Sequence, residues 1–157
     1  MAEEKITNLS MNITVDDGSR RVPICNTSGE EIGAFTFHPT DMGILQRYDA
    51  MVDRFDQVVE PLTGLDEEEV DPANPSYVRA LNEATDRLNS AVNELLGSDD
   101  AAAAFFGKVN PFSPVDGEFY CARVLNALGQ YIGAAFETET AKFSSKAQKY
   151  IKKANRK

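Results

Sequence analysis

The stretch "EIGAFTFHPTDMGILQRYDAMV", Glu31 to Val52, is where the chain changes period. Up to Phe37 it is rich in β-branched and aromatic residues at strand spacing. After "HPTD" (His38–Asp41) the apolar residues recur at steps of three and four. Leu45, Tyr48, Met51 or Val52, Phe55, Val58 or Val59, and Leu62 make one helical stripe. Pro39 marks the junction, Thr40 is the expected cap, and Asp41 suits the positive end of the helix dipole. Strands precede this point and helices follow it, so the sequence predicts an α+β fold.

Upstream, "MNITV" (Met11–Val15) has strand composition and Asp16-Asp17-Gly18 is a turn. "RRVPICN" (Arg20–Asn26) is a second strand, which Pro23 either confines to an edge or interrupts. Thr27-Ser28-Gly29 turns into "EIGAFTF" (Glu31–Phe37). There Ile32 and Ala34 compete with Phe35 and Phe37 for the buried face. The expected N-terminal unit is a small antiparallel hairpin or meander.

Downstream, Pro61 sits at the end of the first helix. "TGLDEEEVDPANPS" (Thr63–Ser76) is an acidic loop whose last residue can cap a second helix. That helix carries Tyr77, Leu81, Ala84, Leu88, Ala91 or Val92, and Leu95, and stops at Gly97. "SDDAAAAFF" (Ser98–Phe106) is a short third helix ended by Gly107. A fourth starts at Asp116 or Gly117, with Phe119 or Tyr120, Val124 or Leu125, Leu128, Ile132 and Phe136 as its stripe. The predicted organisation is a polar N-terminus over 1–10 and one domain over 11–137, with the β unit over 11–37 and about four helices over 40–137. A basic helix or tail follows over 138–157.

The 157 residues carry a net charge of −9, unevenly spread. Residues 138–157 hold seven Lys or Arg against one Glu, +6, which leaves −15 on the rest. Such an acidic body argues against affinity for nucleic acid or anionic lipid. No window is apolar enough for a membrane span, and the N-terminus has no apolar leader segment. A reducing cytoplasm is the expected setting, with Cys25 and Cys121 as free, buried thiols. In that setting the sequons at Asn8, Asn12 and Asn26 carry no meaning.

Chemistry is sparse. His38 is the sole histidine. No zinc spacing, Gly-rich phosphate loop or nucleophile motif is present. The acids Asp66–Glu69 are contiguous, Asp71 follows after Val70, and the run lacks the glycine of a calcium loop, so it is expected to be a solvated loop. No catalytic residue, cofactor or metal is expected. Lys142, Lys146, Lys149 and Lys153 recur at helical spacing and would form one positive strip on a helix, either a solvated tail or an arm for a partner or an acidic surface. "NPFSPVDGEFYCARVL" (Asn110–Leu125) crowds aromatics among prolines. It is expected to be a stiff corner plugging the bundle, with Phe112, Phe119 and Tyr120 as candidate docking residues.

Two segments, "FTFHPTD" and "NPFSPVDGEFYC", carry a wider likeness. From about Ile13 to Phe136 the chain resembles a group of small proteins encoded in tail modules of siphophages and prophages of Gram-positive bacteria, and through them the phage tail assembly chaperones. The resemblance implies a partner-binding role in the host cytoplasm, with the tape measure protein or tail tube subunits as partners and homo-oligomers allowed. It also implies a longer product made by frameshifting near the Lys-rich end. It carries over no catalytic residues. The alternative is a structural virion component, a tail terminator or connector subunit.

Overall fold

The computed structural model describes the backbone of residues 11–155 and the side chains through Phe143. The expectation for residues 1–10 lies outside that range, as do the side chains of Lys146, Lys149 and Lys153. The chain is α+β: an antiparallel two-stranded hairpin followed by four helices.

Strands β1 (Arg20–Cys25) and β2 (Glu31–Phe37) pair in the register Arg20 with Phe37 and Val22 with Phe35, with an irregularity at Ile24/Cys25. Asn26 builds the turn between them: its side-chain oxygen accepts the amides of Ser28 and Glu30, each at 3.0 Å. The odd face of β2 wins the competition for the core. Phe35 and Phe37 are buried, and their rings stand 4.9 Å apart. Gly33, on the same face, lets the strand lie directly on the backbone of the third helix.

The strand expected over Met11–Val15 does not form. Its apolar side chains reach no core, and Ile13 is 96% exposed. A third strand would have to pair along β1, where Pro23 supplies no amide. The chain turns instead, with Gly18 and Ser19 amides held by the carboxylates of Asp16 and Asp17 at 2.9 and 3.0 Å.

Helix α1 (Gly43–Thr63) begins later than expected, and Thr40 does not cap it. Asp41 turns the chain by accepting the Gly43 amide at 2.9 Å. Pro61 lies inside its last turn. The buried positions are Ile44, Met51 and Val58, with Phe55, Val59 and Leu62 packed beside them. Leu45 and Tyr48, expected in the core stripe, face out. The core needs only one narrow seam because α1 packs chiefly on one neighbour, α2 (Pro75–Leu96).

Asn74 rather than Ser76 caps α2, its side chain accepting the Ser76 amide at 2.9 Å, with Pro75 at the first helical position. Ala84, Leu88, Val92 and Leu95 are buried along it, and Gly97 ends it in the left-handed region at φ 60°. Helix α3 (Ala101–Phe106) follows at once. Asn93 ties the junction, donating to Asp99 O at 3.2 Å and accepting the Ala102 amide at 2.8 Å. Phe105 then meets Phe35 with ring centroids 5.2 Å apart, closing hairpin onto bundle. Each buried aromatic of this kind contributes roughly 1.5–3 kcal/mol.

Asp116-Gly117 does not start the last helix. Both residues have positive φ, 52° and 88°, the geometry of a tight hairpin turn. They join strands β3 (Pro114–Val115) and β4 (Glu118–Phe119). Helix α4 (Tyr120–Asn155) starts after them and runs through the expected boundary at 137/138 without a break.

Candidate interaction surfaces

The proline-rich corner is a cap. Asn110 Nδ2 donates to Thr85 Oγ1 on α2 at 3.2 Å, and Asn110 Oδ1 accepts the Phe112 amide at 2.9 Å. The carbonyls of Pro111 and Ser113 accept the amides of Cys121 and Tyr120, each at 2.8 Å. The corner thereby satisfies two of the amides that a helix start leaves unpaired. Phe112 is 6% exposed and belongs to the core, whereas Phe119, 49% exposed, crosses it edge-on at 5.6 Å. Tyr120 is half-buried, donates its hydroxyl to Phe105 O at 3.0 Å, and has its pKa raised by burial. Of the three candidate docking aromatics, Phe119 alone is presented at the surface.

His38 also has a structural partner. Its Nε2 lies 2.8 Å from Asp17 Oδ2, which ties the turn before β1 to the end of β2. That hydrogen bond, followed by those from Ser19, holds the Asp17 carboxyl well below the usual carboxylate range. The acidic loop folds on itself in a short 3-10 turn over Glu67–Glu69, with Asp66 and Glu69 exchanging side-chain and backbone bonds. Among the described residues no group of three or more His, Cys, Asp or Glu is arranged to hold a metal ion. None of the described helices is long and apolar enough to cross a membrane.

The two cysteines part company. Cys121 is buried, and burial pushes its thiol up. Cys25 is exposed, contrary to expectation, because it sits at the irregular end of β1 beyond the packed face of the hairpin.

A groove of about 670 Å³ runs between α1 and α2, floored by Met51, Val58 and Leu95. Its three arginines are spoken for. Arg47 donates to Leu95 O at 2.9 Å and to Asp41 at 3.1 Å. Arg54 reaches Glu94 at 3.4 Å. Arg87 donates to Gln57 O at 2.6 Å and to Glu83 at 2.8 Å. Two of these arginines therefore bond backbone carbonyls of the opposite helix. They staple α1 to α2 and leave little charge for a ligand. Sequence reading missed these staples, because carbonyl partners 30 and 48 positions away leave no local signal.

The other flank of α1 is different. Leu45, Tyr48 and Val52 are 50%, 51% and 57% exposed at steps of three and four. Beside them run Asp49, Asp53 and Asp56, all exposed. This apolar shoulder edged by acids has no counterpart in the sequence reading, which placed Tyr48 in the core. The charge spacing along α1 was the available signal.

On α4 the buried positions are Cys121, Val124 and Leu128. From 129 to 143 no residue is buried. Tyr131 touches the hairpin through Phe37, with ring centroids 6.2 Å apart, and Phe143 is exposed. Lys142 bonds Glu139 of its own helix at 3.2 Å. Positions 146, 149 and 153 continue the same helix.

The chain matches no protein-family model, no curated protein and no solved structure.

Proposed function

We propose that this chain is a binding protein, not an enzyme, and that it acts as an assembly chaperone for a phage tail in the host cytoplasm. Its partners in this reading are the tape measure protein and/or tail tube subunits. The tail assignment rests on the likeness of "FTFHPTD" and "NPFSPVDGEFYC". The observation that supports a client-holding role is the uncovered shoulder Leu45, Tyr48 and Val52 on an otherwise acidic body. A stripe of this kind accepts the apolar face of an amphipathic helix, and the surrounding charge keeps the loaded protein dispersed. The client in this reading is a long, apolar helical chain that must be held soluble.

The test is a pull-down of the tagged protein from its own host while tails are being made. Tape measure or tail tube protein should accompany the wild type and be lost with Tyr48→Glu or Val52→Glu. A lysate rich in tails that yields no tail protein with the wild type overturns the reading.

A further inference from the structure

An extended arm and a strand edge of matching length stand unpaired in the same chain. Met11, Ile13 and Val15 are 69%, 96% and 76% exposed, and no residue of Met11–Val15 belongs to a helix or strand. Alternate positions place the three apolar side chains on one side of an extended chain. The composition is that of a strand with no sheet beneath it. The root of the arm is fixed. Asp16 and Asp17 hold the turn to Ser19, and His38 holds Asp17 at 2.8 Å.

The edge belongs to β2. Pro23 has no amide to give, yet it stands opposite Ala34 in the register. Antiparallel pairs alternate between bonded and non-bonded, so the bonded pairs are its neighbours, Val22 with Phe35 and Ile24 with Gly33. The amides and carbonyls of Ala34 and Thr36 then point away from β1. Among the described residues neither makes a backbone hydrogen bond outside the hairpin ladder. The regular part of this edge runs from Gly33 to Phe37, past the irregularity at Ile24/Cys25, and contains no proline. An open edge with every amide in place is a template for another strand. The edge of β1 is not equivalent, since Pro23 removes its middle amide. Yet β1 is the strand to which the short turn Asp16–Ser19 delivers the arm in its own chain.

We propose that Met11–Val15 of one copy adds to the β2 edge of a second copy and makes each hairpin a three-stranded sheet. The arm brings an unbroken run of amides to the open groups of Ala34 and Thr36. The edge gives the arm the pairing it does not find in its own chain. Every copy carries both halves, so the exchange closes as a two-fold dimer or continues from copy to copy. The contact uses no residue of the α1 shoulder, so it stands apart from the client reading.

The experiment is sedimentation equilibrium on the full chain, up to about 100 µM, with amide hydrogen exchange followed by NMR on the same samples. The wild type should exceed the monomer mass. Its Ala34 and Thr36 amides should be protected when associated and exchange quickly on dilution to monomer. The double variant N12P/I13P removes two successive arm amides, one of which faces the edge in any register. Both residues are exposed, so the fold should be kept, which circular dichroism checks. Association should weaken by roughly 10-fold or more in N12P/I13P and persist in Ile13→Val. A wild type that stays monomeric at every concentration overturns the proposal. So does an association that N12P/I13P leaves unchanged, or one in which the Ala34 and Thr36 amides exchange as fast as in the monomer.

Discussion

Gly33 of β2 lies against the backbone of Ala104 in α3 so closely that a Cβ on the glycine would overlap the Ala104 carbonyl oxygen. The obstacle is backbone, which cannot rotate away. Gly33→Ala should therefore separate hairpin from bundle and cost about 1–3 kcal/mol. Thermal or urea unfolding measures it. A loss no larger than that of a surface substitution would show that the strand does not seat on α3 this closely.

Asn110 joins the corner to α2 through Thr85 and holds the Phe112 amide with its other side-chain atom. Asn110→Ala should lose both bonds and cost about 1–3 kcal/mol. Asn110→Asp keeps the acceptor for Phe112 and should lose less. Equal losses for the two variants would place the whole effect in the Thr85 contact.

The Asp17 carboxyl is held below its ordinary value chiefly by His38. A depressed carboxyl stabilises the fold above its unfolded pKa, and that contribution fades as pH falls through the folded value. Asp41, lowered by the Gly43 amide and then by Arg47, acts in the same direction. The contribution of these two carboxyls should be fully present above about pH 5 and decline as the pH falls below about 4. In His38→Ala the Asp17 carboxyl should titrate closer to the ordinary range, followed by NMR of the carboxyl carbon. The stability gap to wild type should close as the solution is acidified. An unmoved Asp17 titration would break the assignment.

Cys25 is exposed and Cys121 is buried with its thiol pushed up. A thiol reagent should therefore modify one cysteine quickly in the folded protein and the second only on unfolding. Peptide mapping identifies which. Rapid labelling of Cys121 would mean that α4 opens from the corner in the native state.

The α+β order, both strands of the hairpin and the stop of α2 at Gly97 were legible in the sequence. Period, turn chemistry and a glycine in the left-handed region act within a few residues, so they are written locally. What neighbours decide was not legible. Tyr48 and Leu45 fit the α1 stripe by spacing, yet the core has room for one seam, through Ile44, Met51 and Val58. Asp116-Gly117 serves equally as a helix start or a hairpin turn until Pro111 and Ser113 are seen capping α4.

By itself, then, the sequence determined the order of hairpin and helices, and it set an acidic body against a basic end. Only the tertiary structure decided which part of the α1 stripe meets water. That choice depends on the volume between packed elements and on distant carbonyls such as Leu95 and Gln57 that fasten arginines across the groove. The apolar shoulder of α1 and the unbroken reach of α4 are the products of those long-range choices.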